Sequence, residues 1–152
     1  MGYIEHIRKK LGHDPLIIVG ASVFIYRDGE VLLQRRSDNG RWGLHGGCME
    51  LGESTEQTAR RELFEETGLV AGKLEFLCVF SGAGMDHVYP NGDQVQIVDV
   101  SYVCRDFSGE LHPQSDEVIE LKWFSLDAIP ENVSTPDRGP MAAFLQYIRN
   151  NP

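Results

Sequence analysis

The segment 46–69, GGCMELGESTEQTARRELFEETGL, constrains the fold more than any other part of the chain. Ser54 and Gln57 form a capping box that predicts the start of a helix. Gly68 supplies a left-handed cap that predicts its end. These signals place the helix over 55–67. A glycine-rich loop precedes it, and a backbone of this kind can approach a ligand closely.

Three glutamates lie near the end of this helix, where its electrostatics disfavour them. Glu62, Glu65 and Glu66 share one arc of about 100° beside the apolar face. Like charges at this spacing destabilise a helix by about 0.2–0.5 kcal/mol per pair, and each also opposes the macrodipole by about 0.3–1 kcal/mol. Carboxylate oxygens suit Mg²⁺ or Mn²⁺. We therefore predict that a divalent metal compensates the stripe; a solvated acidic face is the alternative. The apolar face is predicted to consist of Ala59, Leu63 and Thr67, extended by Phe64.

The rest of the chain reads mainly as strands. Asp28-Gly29 separates two apolar runs, and Asn91-Gly92 forms a turn before a long alternating strand; these hairpin signals imply antiparallel pairing. We predict a single α+β domain over 1–152, with a mixed β-sheet flanked by helices. The predicted strands are 15–26, 31–36, 73–80, 94–104 and 118–126. The other predicted elements are a helix over 3–11, a loop over 130–140 and a final amphipathic helix from Pro140.

Composition narrows the class of partner and the compartment. A net charge of -9 argues against non-specific electrostatic binding to nucleic acid or to an anionic membrane. It leaves room for a phosphate-bearing small substrate, because a bound cation can invert the local charge. The three cysteines have no C-x-x-C spacing, which favours a reducing compartment. No signal peptide and no apolar run of about 18 residues is present, so we predict a cytoplasmic protein.

The acidic helix and the glycine loop together resemble a known signature, the Nudix box. Gly47, five residues, Glu53, seven residues and then RELFEETGL from Arg61 match every specified position of that box over 47–69. Leu63 and Leu69 fill its two aliphatic positions. The strand LLQRR before the box and the segment LKWFSLDAIP after it are also similar to the family.

This resemblance implies a Nudix fold, which is an α/β/α sandwich, and metal-dependent hydrolysis of a nucleoside diphosphate linked to another group. Arg61 is expected to orient carboxylates by pairing with Glu53. Glu62 is the favoured general base, with Glu117 as the alternative. The metal ligands implied by the family are the carbonyl of Gly46 and the carboxylates of Glu62, Glu65, Glu66 and Glu117.

The substrate is less constrained by the sequence. Tyr89 and Trp42 are candidates for stacking on a base, although Trp42 suits a core position equally well. His45 stands where many family members have proline, in a structural role or as a substrate or metal contact. The candidates for binding phosphate are Arg35, Arg36 and Arg41; the alternative is that they are only charges on the protein surface.

Several alternatives remain open at this level. ADP-ribose-like sugars, (d)NTPs, dinucleoside polyphosphates and nucleotide sugars all fit the predicted chemistry. A non-catalytic Nudix-like domain that senses a nucleotide and regulates a partner is the rival function. The resemblance also suggests a homodimer.

Overall fold

The computed structural model of the chain describes residues 2–113 and 116–152. Its helices are α1 (Tyr3–Leu11), α2 (Thr55–Thr67) and α3 (Thr135–Asn150). Its strands are β1 (Leu16–Arg27), β2 (Glu30–Arg36), β3 (Trp42–Gly43), β4 (His45–Cys48), β5 (Val70–Ala71), β6 (Glu75–Phe80), β7 (Asp86–Val88), β8 (Gln94–Cys104), β9 (Phe107–Ser108) and β10 (Val118–Ser125). Within the described residues, no helix is both long and apolar enough to cross a membrane.

Eight strands form one mixed sheet. Its main path is β10-β2-β1-β8-β6, with β3, β4 and β7 paired to β2, β1 and β8 respectively. Strand β1 runs parallel to β8 and antiparallel to β2 and β4. The hairpin between β1 and β2 turns at Asp28 (φ 49°) and Gly29 (φ 80°), as predicted. The ends of the five predicted strands, β1, β2, β6, β8 and β10, lie within two residues of the predicted ones. The shorter strands β3, β4, β5, β7 and β9 were not predicted.

Strand β1 lies at the centre of the core, and its residues 20–25 are buried on both faces. Val23 and Ile25 face α2, where they pack with Ala59 and Leu63. Phe24, which points the opposite way, packs against α3. Alternate β1 side chains therefore serve two separate hydrophobic clusters. This arrangement confirms the prediction of a mixed sheet flanked by helices, in an α/β/α sandwich.

Helix α2 has the boundaries that its end signals predict. The N–H of Gln57 donates to Ser54 Oγ at 3.1 Å, and the N–H of Ser54 donates to Gln57 Oε1 at 2.8 Å. Gly68 ends the helix with φ 79°. The boundaries follow from hydrogen bonds between neighbours in sequence, which is why they could be predicted.

Two predictions about the helices are wrong. Helix α3 begins at Thr135 and not at Pro140, so the second half of the predicted 130–140 loop is helical. Pro136 lies at the start of that helix, where a missing N–H costs little. Pro140 lies within the helix and is buried. Phe64 is 50% exposed and does not extend the apolar face of α2, because the sheet already covers the narrower face around Ala59 and Leu63.

The first turn of α3 is tied to the chain between β3 and β4. The N–H of Leu44 donates to Asp137 Oδ2 at 3.1 Å. A Cβ at Gly43 would lie only 2.6 Å from the same oxygen, so the backbone and the carboxyl group approach closely. Burial raises the pKa of Asp137 to about 7, although the hydrogen bond from Leu44 opposes this shift.

Replacing a stacked core ring should be far more destabilising than replacing an exposed one. The Phe144 ring is fully buried and stacks on Phe24 with centroids 4.3 Å apart, so Phe144→Ala should lower the free energy of unfolding by about 3–5 kcal/mol. The matched Phe64→Ala variant should change it by less than about 1 kcal/mol. Urea denaturation measures both, and equal losses would contradict the assignment of the two faces.

The Asp137 carboxyl should make stability fall as pH rises. Its pKa is higher in the folded chain, so the folded chain retains a proton that the unfolded chain has released. The stabilisation is present below about pH 4 and is lost between about pH 4 and 7. Asp137→Asn should therefore gain stability relative to wild type across that window. Urea denaturation at pH 4, 5.5 and 7 measures this, with exposed Asp127→Asn as the control; parallel wild-type and Asp137→Asn curves would contradict it.

Candidate active site

A cavity of about 430 Å³ lies beside α2, β1 and β4 and reaches the first turn of α3. Six of the predicted site residues meet there, although they come from distant parts of the chain. Those that line the cavity are Gly46, Glu62, Glu66, Glu117, Arg36 and Tyr89. Among the other lining residues, Gln34, Asp38, Asp99 and Asp137 bring further polar groups.

Glu66 is the most buried carboxyl on the α2 side of this cavity, with only 4% of the residue exposed. The N–H of Gly46 donates to its Oε2 at 2.9 Å, and Gln34 Nε2 donates to its Oε1 at 3.3 Å. Burial raises the pKa of Glu66 well above its usual range, and the neighbouring Glu62 charge adds to the shift. A carboxyl in this setting requires either a proton or a nearby cation.

Glu62 lies one turn earlier on the same helix and faces the double glycine. A Cβ at Gly47 would lie 2.5 Å from the Glu62 carboxylate, so a larger residue at position 47 would collide with it. Burial raises the pKa of Glu62, although Arg61 Nη1 donates a hydrogen bond to it at 2.7 Å. Two partly or fully buried carboxyls thus share one wall of the cavity.

The Arg61 guanidinium is paired as the resemblance implied. Its Nε and Nη2 donate to the two oxygens of Glu53 at 2.7 and 2.9 Å, which is a bidentate geometry. Nη2 also donates to the carbonyl of Cys48 at 3.0 Å. The hydrogen bonds from Arg61 hold the pKa of Glu53 down at about 2. Arg61 therefore joins α2 to the loop that follows β4.

The other two predicted ligands differ in their position. Glu117 lines the cavity, and its backbone carbonyl accepts a hydrogen bond from Ser37 at 2.9 Å. The Glu65 side chain is 54% exposed, lies 3.4 Å from Arg61 and is outside the cavity lining. As the side chains stand, no group of three or more His, Cys, Asp or Glu in residues 2–113 and 116–152 is arranged to hold a metal ion.

Only one of the three predicted phosphate-binding arginines reaches the cavity. Arg36 lines it and donates two hydrogen bonds to Asp38, at 2.9 and 2.8 Å. This contact lowers the pKa of Asp38. Arg35 is exposed and donates to the carbonyl of Gly40, and Arg41 is also exposed. Arg35 and Arg41 point away because alternate residues on β2 face opposite sides and Arg41 lies in the loop beyond it.

Of the two aromatic candidates, Tyr89 lines the cavity and Trp42 does not. Tyr89 lines the cavity with its ring edge-on to His87 at 4.7 Å, and burial raises its pKa to about 12. Trp42 packs against Phe124 with ring centroids 4.8 Å apart, in the cluster under α3. Trp42 therefore belongs to the core, which was the alternative interpretation.

His45 has a structural position. It is fully buried, and its Nε2 lies 3.0 Å from the carbonyl oxygen of Leu32. A carbonyl can only accept, so Nε2 carries the hydrogen. Burial lowers the pKa of His45 to about 4, which makes the ring neutral at pH 7.

Sequence reasoning missed several polar residues of the cavity. Gln34 had a detectable signal, since it is the only polar residue in the run VLLQ of a buried strand. Asp137 had none, because its segment was interpreted as a loop. Asp99 is held from β1 and β8 by the hydroxyls of Ser22 and Ser101, at 2.7 and 2.6 Å. Such contacts depend on strand pairing that a single sequence does not specify.

The comparisons with known proteins agree with this geometry. Residues 17–145 match the family described as the NUDIX domain. The NAD-capped RNA hydrolase NudC of Pseudomonas aeruginosa is 34% identical over 118 residues, which cover 76% of this chain and 39% of that protein. An ADP-ribose pyrophosphatase of Methanocaldococcus jannaschii is 33% identical over 116 residues, covering 74% of this chain and 64% of that protein. The chain thus spans about two fifths of the length of this NudC.

Solved structures show the same architecture. A MutT NUDIX hydrolase from Burkholderia pseudomallei superposes with a TM-score of 0.73 at 32% identity, covering 84% of this chain and 98% of the other. The NUDIX domain of Shewanella oneidensis NrtR, complexed with ADP ribose, superposes with a TM-score of 0.66 at 26% identity, covering 97% and 99%. With its box, its sheet and its acidic cavity wall, the chain belongs to the Nudix family.

Proposed function

We propose that the chain hydrolyses a phosphoanhydride bond in a nucleoside diphosphate that is linked to another group, using a divalent metal. One observation carries this proposal: Glu62 and Glu66 are held in one cavity wall, where burial raises the pKa of both carboxyls. A folded protein gains no stability from such an arrangement. A cation that binds there would satisfy both groups at once.

The proposed metal-binding residues fit Mg²⁺ or Mn²⁺ by their chemistry. Glu62, Glu66 and Glu117 line the same cavity as Gly46 and offer oxygen donors only. Ligation would require Glu62 to turn from Arg61. Glu65, the fourth proposed carboxylate ligand, lies outside the cavity lining and would also have to turn from Arg61. When bound, the ion would neutralise phosphate oxygens and lower the pKa of the attacking water.

The chain's own residues would then position the substrate and accept the proton. We propose that a carboxylate oxygen of Glu62 takes the proton from the attacking water, with Glu117 as the alternative base. Arg36, which also lines the cavity, would donate its guanidinium N–H groups to the diphosphate. Arg61, held by its bidentate pair with Glu53, ties the loop after β4 to α2 beside Glu62.

The names of the relatives narrow the proposed substrate. NudC is named for NAD-capped RNA and the Methanocaldococcus jannaschii protein for ADP-ribose, and both compounds contain a diphosphate between two groups. We therefore propose this substrate type ahead of (d)NTPs. The prediction that nucleic acid is excluded has no support here, since a capped RNA also carries such a diphosphate. The homodimer, the cytoplasmic location and the single domain over 1–152 stay predictions.

A panel of nucleotides tests the proposed reaction. With Mg²⁺ present, ADP-ribose or NAD⁺ should yield a nucleoside monophosphate, detected by mass spectrometry, and excess chelator should abolish turnover. Hydrolysis that persists in chelator would contradict the metal site. Binding of ADP-ribose without any hydrolysis across the panel, which includes (d)NTPs and nucleotide sugars, would instead favour the nucleotide-sensing alternative.

Glu66→Gln should abolish most of the activity while the protein stays folded. The amide still accepts a hydrogen bond from Gly46 but supplies no negative charge, so turnover should fall by about 10²-fold or more. In chelator the melting temperature should not decrease, because the neutral amide needs neither a proton nor a cation in this buried position and has no repulsion with Glu62. Steady-state kinetics and thermal unfolding measure the two effects.

Glu56→Gln provides the control for this variant, because it makes the same substitution at an exposed position in the first turn of α2. It should leave turnover near the wild-type value. Near-wild-type hydrolysis by Glu66→Gln would remove the main support for the proposed function, and an unfolded Glu66→Gln protein would show that the carboxyl serves the fold.

A further inference from the structure

We infer that Gln34 is a positioning residue, through which strand β2 holds the Glu66 carboxylate in the orientation that binds metal. The inference rests on the proposed function, since it concerns the geometry of one proposed metal ligand. Gln34 is not part of the Nudix box; it lies on β2, which precedes the box in the sequence.

Side chains alternate between the two faces of β2, and Gln34 lies on the face toward α2. Leu32, two residues earlier, packs in the cluster under α2, whereas Val31 and Leu33 pack under α3. Gln34 therefore points to the same side as Leu32. It is only 3% exposed, so its amide N–H groups need a buried partner to offset the cost of leaving water.

The amide lies between Glu66 and His45. Gln34 Nε2 donates to Glu66 Oε1 at 3.3 Å. Gln34 Oε1 lies 3.4 Å from His45 Nδ1, which carries no hydrogen because Nε2 is the protonated nitrogen of the neutral ring, so this contact is packing and not a hydrogen bond. The His45 ring is itself fixed, because its other nitrogen donates to the carbonyl of Leu32. Gln34 thus lies between a ring that the strand β2 backbone fixes in place and the carboxyl of α2.

Glu66 is consequently held at both oxygens from two different strands. The backbone of Gly46 on β4 binds Oε2, and the side chain of Gln34 on β2 approaches Oε1. A single contact would leave the carboxylate free to rotate about its last bond. Two contacts fix the plane of the group, which sets the directions of the lone pairs that remain for a metal.

A purely structural role for Gln34 makes a different prediction. If the amide only fills the space between Glu66 and His45, its loss should change stability and leave metal affinity unchanged. If it positions Glu66, metal affinity should fall, since groups that orient a ligand typically contribute about 10–100-fold to metal binding. The metal-binding constant therefore separates the two roles, and it can be measured without any turnover.

The experiment is an Mn²⁺ titration of the substrate-free protein, in which electron paramagnetic resonance reports the free ion. Gln34→Met keeps the length of the side chain and removes its polar atoms, so the dissociation constant should rise about 10–100-fold. If Gln34→Met fails to fold in chelator, Gln34→Thr removes the same amide with a strand-favouring residue and should show the same rise.

Leu33→Ala supplies the matched control on the same strand. Leu33 is fully buried on the α3 side, so its truncation should lower the melting temperature and leave the Mn²⁺ dissociation constant within about 2-fold of wild type. In the Glu66→Gln background, adding Gln34→Met should produce little further loss of affinity, because residues that act through one another are not additive.

The outcomes distinguish this inference from the proposed function. Wild-type protein that shows no Mn²⁺ binding would overturn both. Wild-type binding together with an unchanged dissociation constant in Gln34→Met would overturn only the positioning role. An equal loss of affinity in Leu33→Ala would also overturn it, because general destabilisation would then explain the effect.

Discussion

The hydrogen-bonded ion pair between Arg61 and Glu53 is the contact on which the rest of the site depends. Arg61 is on α2 and Glu53 is in the loop before it, so the pair fixes the direction in which the chain leaves β4 and enters the helix. Exposed ion pairs contribute little to stability. This one is bidentate and partly shielded, and the backbone N–H of Glu50 and the hydroxyl of Thr58 bind the same carboxylate. Its effect is to hold the loop against the helix.

The close approach of this part of the chain to α2 and β1 requires glycine at positions 46 and 47. A Cβ at Gly46 would collide with the carbonyl oxygen of Ala21, and one at Gly47 would collide with Glu62. Strand β4 therefore lies between β1 and α2 with no room for side chains at these two positions. Because no side chains occupy this space, the Gly46 nitrogen lies 2.9 Å from Glu66 Oε2 and donates a hydrogen bond to it. The spacing of the Nudix box thus has a steric cause as well as a chemical one.

The parts of the structure that local signals specify were predictable, and the parts that depend on distant contacts were not. Helix α2 and its acidic face follow from a capping box, a glycine and the helical period, all within a few residues. The direction of Arg35 depends on which face of β2 meets α2, and the start of α3 depends on Pro136 and Pro140 becoming buried. Gln34 was visible as the polar residue that directly follows the apolar run VLL of β2, but its partner Glu66 is 32 residues away.

The strain in the acidic wall can persist because the apolar side of α2 is firmly packed. Ala59 and Leu63 are fully buried against the sheet, so the last turns of the helix cannot unwind to separate Glu62 from Glu66 without exposing that face. Hydrophobic burial of a few side chains outweighs repulsion between neighbouring carboxyls, which is of the order of tenths of a kcal/mol per pair. The fold can therefore hold a charge arrangement that a free helix would disfavour. This local conflict between electrostatics and packing is what identifies the site, since folding alone gives no reason to keep it.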